Sequence, residues 1–173
     1  MPCNITGGFT ILDCRNSVGG ISTAYIANFS NIDTITYTSG GTVSAITMVD
    51  DSAFFEYKFR RNTGSFKETI TVSDENASVF FAPEIVLQFS RMEAFKRTQV
   101  QLLSQADVVI IVLDNNGKYW LVGSSSGLTL SAGDADAGKA KGDFNGYHLT
   151  FTGQENYPML EVPANLIPDL IGE

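Results

Sequence analysis

Alternating apolar and polar residues run through the middle of the chain, and they predict antiparallel β-strands. From Ala53 to Arg60, three aromatic residues alternate with charged ones, the two-residue period of a sheet with one face in water. The clearest alternation covers Phe66 to Ser73 and Val79 to Gln88, which are separated by a polar turn. We expect a long antiparallel hairpin here, with Pro83 at an edge or a bulge, because proline has no N–H to donate to a ladder.

Further strands are predicted on both sides of this hairpin. β-Branched runs at 34–38 and 42–49 flank two glycines and indicate a shorter hairpin. Six consecutive apolar residues at 108–113 predict a strand that is buried on both faces. Asn116-Gly117 then predicts a tight turn into a return strand that carries Trp120. The remaining predicted strands are 22–29, 128–130 and 147–152.

The apolar period changes to that of a helix only between Arg91 and Gln105. The fold class is therefore mainly β, an antiparallel β-sandwich or barrel with one flanking α-helix. Residues 131–145 are polar and rich in glycine, so they predict a mobile or assembly-ordered loop. We expect an N-terminal arm at 1–20, a β-domain at 21–156, and an apolar, proline-containing arm at 157–173. That last arm is expected to dock on its own sheet or on a neighbouring subunit.

Charge and composition narrow the classes of function. Nineteen acidic residues against eleven basic ones give a net charge of -8, which opposes binding to nucleic acid through its phosphates. The chain has no basic start with an apolar run and no stretch long enough to span a membrane, so we expect a soluble product of a cytosol with no membrane partner. In such a reducing compartment, Cys3 and Cys14 are expected to be two free thiols.

The candidate chemical groups each have a simpler structural explanation. His148, the only histidine, falls on the polar face of a strand with no nucleophile at a catalytic spacing. Asp134 and Asp136 lack the ligand spacing and closing glutamate of a calcium loop. Tyr119 and Trp120 could stack on a sugar, but aromatic residues in a buried hairpin usually belong to a core. We therefore expect a non-enzymatic protein with no catalytic residues, no metal and no cofactor.

The order of the predicted elements carries a resemblance. A β-meander, one helix, an Asn-Gly hairpin, a Gly-rich loop and a closing strand together resemble the tail tube fold of tailed bacteriophages. The segment Asp114 to Glu155, DNNGKYWLVGSSSGLTLSAGDADAGKAKGDFNGYHLTFTGQE, is also similar to the C-terminal part of structural proteins from phages of Bacteroidetes hosts. The segment LDCRNSVGGISTAYIANFSNI near the start has the same character.

The resemblance implies a virion protein of the phage tail, synthesised in the host cytoplasm. Copies would form rings, hexameric by analogy, and the rings would stack into a tube. Long hairpins would line a channel, with the helix outside and DNA passing as cargo without specific binding. Its partners would be copies of itself and other virion proteins. The lining hairpin would pair Ala53 to Arg60 with Phe66 to Ser73, or Phe66 to Ser73 with Val79 to Gln88.

Three groups of residues follow as candidate assembly positions. The lumen or strand-edge group is Glu56, Lys67, Thr69, Thr71, Ser73, Glu84 and Gln88. The assembly-loop group is Asp134, Asp136, Lys139, Lys141 and Asp143. The docking-arm group is Leu160, Val162, Leu166, Ile167 and Leu170. Two alternatives stay open beside the tail tube: a head-tail connector or capsid decoration protein, and a carbohydrate-binding module that uses Tyr119 and Trp120.

Overall fold

The computed structural model describes Ile5, residues 7–11 and residues 15–171. Cys3 and Cys14, expected as free thiols, lie outside the described residues. Within the described residues the fold is mainly β, as the sequence predicted, with antiparallel sheets and two short helices. No helix in these ranges is both long enough and apolar enough to cross a membrane.

The helices and strands have the following bounds. The strands are β1 (Ile21–Asn28), β2 (Ile32–Tyr37), β3 (Val43–Met48), β4 (Phe55–Lys58), β5 (Gly64–Ser73), β6 (Ser78–Ser90), β7 (Val108–Asp114), β8 (Tyr119–Val122), β9 (Thr129–Asp136), β10 (Gly146–Thr152) and β11 (Leu160–Val162). The helices are α1 (Ala94–Leu103) and α2 (Ile167–Leu170). Short 3-10 turns occupy Phe29–Asn31 and Ala164–Leu166.

Two larger sheets form the sandwich. The five-stranded sheet has the order β11-β8-β7-β1-β4, and the four-stranded sheet has the order β5-β6-β10-β9. A separate two-stranded sheet pairs β2 with β3, as the shorter predicted hairpin required. Gly117 has a φ of +79° in the β7–β8 turn, a left-handed conformation that glycine adopts without strain and that explains the Asn-Gly signal.

Apolar residues fill both sides of the five-stranded sheet. One core lies between the two large sheets and contains Ile110 of β7 and Phe151 of β10. A second core lies behind the five-stranded sheet, where Ile111 of β7 packs with the β2–β3 hairpin and the C-terminal segment. Because neighbouring β7 residues point into different cores, the strand is buried on both faces, which confirms the prediction made from its apolar run.

Three details of the sequence prediction are wrong. Residues 131–136 belong to strand β9 and not to a loop, because their backbone pairs with β10; the loop spans only 137–145. β4 pairs with β1, so the hairpin of Ala53 to Arg60 with Phe66 to Ser73 does not exist. β6 is an internal strand with an unbroken register at Pro83, and this proline is tolerated because the β10 pairing has already ended at Glu84.

Candidate assembly surface

The four-stranded sheet has one face in the sandwich and the other face outside it. β5 and β6 pair in one unbroken register, which confirms the long hairpin. That register and the pairing with β10 place six of the seven lumen or strand-edge candidates on the outer face: Lys67, Thr69, Thr71, Ser73, Glu84 and Gln88. Glu56 lies apart from them on β4, where its carboxylate is 2.8 Å from the Lys58 ammonium. Sequence periodicity thus grouped the residues of one hairpin correctly but could not place a residue of the other sheet.

The outer face continues across β10 and β9. Asp134 and Asp136 stand opposite His148 and Gly146 in the register, so they share this face with the hairpin residues. His148 Nδ1 lies 3.0 Å from Asp134 Oδ2, and the Phe144 ring packs on the imidazole with centroids 4.4 Å apart. The only histidine therefore pairs with an aspartate at an exposed position.

The loop at 137–145 holds the other assembly-loop candidates, Lys139, Lys141 and Asp143, and all three are exposed. The Asp143 carboxylate accepts the backbone N–H groups of Lys139 and Ala140, each at 2.8 Å. These two hydrogen bonds hold the pKa of Asp143 below its ordinary value. Asn145 in turn accepts the backbone N–H of Arg91 at 2.6 Å. The loop is therefore fastened to the approach to α1.

The docking-arm candidates pack within their own chain. Leu160, Val162, Ile167 and Leu170 are buried in the core behind the five-stranded sheet, and Leu166 is half-buried against it. β11 pairs with β8, and the Leu170 carbonyl accepts the Phe54 N–H at 2.8 Å. Of the two docking partners expected from the sequence, the structure shows the chain's own sheet.

The tip of the β5–β6 hairpin extends beyond the sandwich. Val72 and Val79 form a cross-strand pair, and Ile70 pairs with Phe81 on the same face. Ile70, Val72 and Val79 are 62%, 62% and 54% exposed. Farther from the turn, the same face of the sheet belongs to the core between the two large sheets. We call these three residues the apolar tip. The alternating pattern showed that they share a face, but it carries no signal for whether that face is covered.

An apolar cleft lies at the opposite end of the same hairpin, between α1 and β4. Its volume is about 630 Å³, and its walls are mainly aromatic and aliphatic: Phe55, Tyr57, Phe89, Phe95, Val100, Leu103, Tyr147 and Leu149. The Tyr57 and Phe89 rings are 5.8 Å apart and tie β4 to β6. We call this feature the α1–β4 cleft. Phe95 and Leu102 are apolar residues of α1, yet they are 73% and 55% exposed.

A buried carboxylate, Glu155, and a partly exposed one, Asp114, fix loops behind these surfaces. Glu155 is 3% exposed, and its carboxylate accepts the N–H and hydroxyl of Ser125, both at 2.7 Å, and the N–H of Ser126 at 3.2 Å. Burial acts to raise the pKa of Asp114, but hydrogen bonds from the Lys118 N–H, the Trp120 indole and Asn116 outweigh it and lower that pKa. Trp120, a candidate sugar platform, is half-buried against the core between the two large sheets, which we call the main core.

Neither geometry nor similarity assigns a reaction to the chain. Within Ile5, 7–11 and 15–171, no three His, Cys, Asp or Glu side chains come together as a metal site. No protein-family model, curated protein or solved structure matches this chain. The resemblance to phage tail proteins therefore stays a prediction.

Proposed function

We propose that this chain is a non-enzymatic structural subunit of a bacteriophage tail, which closes into rings that stack as a tube around passing DNA. The observation that carries the proposal is the four-stranded sheet with its borders β5 and β9. In the described residues, each border strand pairs along its length with one neighbour only. Backbone donors and acceptors along the free edges are a template for strands from other copies.

The strand directions suit ring closure. All pairs in the order β5-β6-β10-β9 are antiparallel, so the first and last strands run in opposite directions. When copies are related by rotation, β9 of one copy meets β5 of the next as an antiparallel neighbour. The sheet then continues from copy to copy, and the ring leaves no free edge.

The composition of the outer face supports its place on the inside of such a ring. Threonine, serine and glutamine are prominent there, and one lysine, Lys67, stands among three carboxylates, Glu84, Asp134 and Asp136. The chain as a whole carries a charge of -8. A channel with this lining repels the DNA phosphates, which lets DNA slide without binding.

The decisive experiment blocks one border without disturbing the fold. Phe81 and Glu155 exchange both backbone hydrogen bonds. The backbone N–H and C=O groups of odd-numbered β6 residues therefore point towards the β10 side. By the alternation of the ladder, the N–H of Ala135 in β9 points away from β10. Ala135→Pro removes that free donor, and Ala135→Val keeps it as the matched control.

We expect rings or tubes in negative-stain micrographs of the wild type and of Ala135→Val, but monomers for Ala135→Pro with an unchanged far-UV spectrum. Sedimentation velocity measures the same difference in solution. A wild-type protein that remains monomeric at high concentration would contradict the proposal. So would an Ala135→Pro variant that assembles as the wild type does.

A further inference from the structure

The apolar tip and the α1–β4 cleft lie on the same side of one sheet. Ile70, Val72 and Val79 belong to the face of the β5–β6 hairpin that, lower down, contributes Ile85 and Leu87 to the main core. Phe89, on that same face, lines the cleft. The two features are therefore related by a shift along the strand direction without a change of face.

The tip cannot reach the cleft of its own molecule. β6 runs as one continuous strand from Val79 at the tip to Phe89 at the cleft, ten residues apart and about 33 Å at the ordinary rise of a strand. Only a second molecule, displaced along the strands by about this length, brings a tip to a cleft.

The charges beside the two features are opposite. The turn at the tip, Ser73 to Ser78, contains Asp74 and Glu75 and no basic residue. The cleft is lined by Lys58 and Lys96, and Arg91 and Arg97 lie on or beside α1. These four bases outnumber the two neighbouring carboxylates, Glu56 and Glu93, which pair with Lys58, Arg91 and Lys96. An acidic turn that leads an apolar patch suits an apolar cleft with a basic rim.

We propose that the apolar tip of one copy docks into the α1–β4 cleft of a second copy, and that this contact stacks one ring on the next. The inference rests on the proposed function and adds the axial contact to the lateral one. Strand borders β5 and β9 close each ring, whereas tip and cleft join successive rings. The second copy thereby buries apolar side chains that the single chain leaves in water.

Substitutions at the tip separate stacking from ring closure. Ile70→Thr with Val72→Thr removes the apolar surface while keeping β-branched residues in the strand. Val49→Thr, at a 47% exposed valine after β3, is the matched control. We expect single rings from the double variant, and the number of multi-ring tubes in micrographs should fall by about tenfold or more. The reason is that two aliphatic contacts together are worth more than a tenfold change in the binding constant. Tubes of wild-type length from the double variant would overturn the inference and leave the ring proposal intact.

Substitutions on α1 test the other partner. Phe95→Glu places a carboxylate in the cleft, where it faces the acidic turn. Leu102→Glu introduces the same charge at an exposed position of the same helix that does not line the cleft. We expect Phe95→Glu to give single rings and Leu102→Glu to give tubes. Equal tube yields from the two variants would count against the cleft.

Cross-linking tests the contact even where no ring forms. Two populations, both with Cys3→Ser and Cys14→Ser, carry either Val72→Cys or Phe95→Cys and are mixed under mild oxidation. A disulfide between the two populations is expected, and a Val49→Cys partner should give none. If the wild type forms no rings, the ring proposal fails, and this link alone decides the docking. A third population carries Ile11→Cys, in the N-terminal arm. If Phe95→Cys links only to this population, the N-terminal arm fills the cleft and the inference is wrong.

Discussion

The two large sheets of this protein differ in how completely one chain finishes them. The five-stranded sheet is covered on both faces, and its borders meet other segments of the same chain. Glu161 in β11 donates its N–H to the Gly41 carbonyl, and Phe54 just before β4 donates to the Leu170 carbonyl. Among the residues that the structure describes, the four-stranded sheet is covered on one face only, and its hairpin carries exposed apolar residues past the sandwich. One sheet supports the fold, and in the proposed assembly the other contacts neighbouring copies.

The contrast is visible in the kinds of strand that each sheet uses. Residues 108–113 of β7 are all apolar, which suits a strand that is buried on both faces. β5 alternates from Phe66 to Ser73 except at Glu68, yet Phe66 packs against the core while Ile70 and Val72 are exposed. Alternation that continues beyond the available core therefore marks surface that a partner can cover.

The largest expected effect compares one substitution in the two sheets. Ile110 in β7 is fully buried, and Ile110→Ala should lower the free energy of unfolding by about 2 to 5 kcal/mol. Ile70 at the tip is 62% exposed, and Ile70→Ala should change it by about 0.5 kcal/mol or less. Urea unfolding of both variants in the monomeric Ala135→Pro background measures the difference. Similar losses at the two positions would mean that the tip is covered in the monomer.

A second, smaller effect is expected where the sheets are joined. Glu155 bridges to Phe81 of β6, and its buried carboxylate accepts the N–H groups of Ser125 and Ser126. Glu155→Gln replaces one acceptor oxygen with a donor, so we expect a loss of about 1 to 3 kcal/mol in urea unfolding. Glu84→Gln on the outer face is the control and should change stability by less than about 0.5 kcal/mol. An equal loss in both would show that the serine cradle is not what holds Glu155.

The smallest effect concerns Glu68, at the boundary between the covered and the exposed parts of β5. Burial raises the pKa of Glu68, the Met159 N–H at 2.9 Å lowers it, and the nearby Glu155 raises it, with a net increase. The folded chain then holds this proton more tightly than the unfolded chain, so stability falls as the pH rises through the raised pKa. Glu68→Gln keeps an acceptor for Met159 and avoids the charge.

Thermal unfolding at several pH values measures the Glu68→Gln effect. At pH 7 we expect the free energy of unfolding of the variant to be higher than that of the wild type by a few tenths of a kcal/mol, roughly 0.5 at most. The difference should shrink as the pH falls below the ordinary glutamate pKa of about 4.3, because the carboxyl then becomes protonated in the unfolded chain as well. A variant that is less stable than the wild type at pH 7 would show that the hydrogen bond from Met159 outweighs burial.

Local sequence signals predicted the elements better than their partners. The β5–β6 hairpin, the doubly buried β7 and the Asn-Gly turn follow from period, apolar runs and turn chemistry, and the structure has all three. The partner of β4 was wrong because pairing with a strand some thirty residues earlier leaves no local pattern. Residues 131–136 were missed because Ala, Gly and Asp rarely favour strands, and here the β10 backbone decides their conformation.

For the candidate assembly positions, the sequence predicted which side chains share a face but not which of them are exposed. Alternation placed Lys67 and Glu84 on a common face, because the pleat fixes which side chains lie together. It could not identify Ile70 or Phe95 as exposed, since exposure depends on where other elements end.

The even number of strands in the four-stranded sheet has a consequence for the size of the assembly. Each copy presents an upward strand on one side and a downward strand on the other, so any number of copies satisfies the same pairing rule. In the proposed ring, hydrogen bonding is therefore indifferent to copy number, and sheet curvature alone sets the diameter. The β-bulge where β9 shifts against β10, beside Ser131, is one place where that curvature is built.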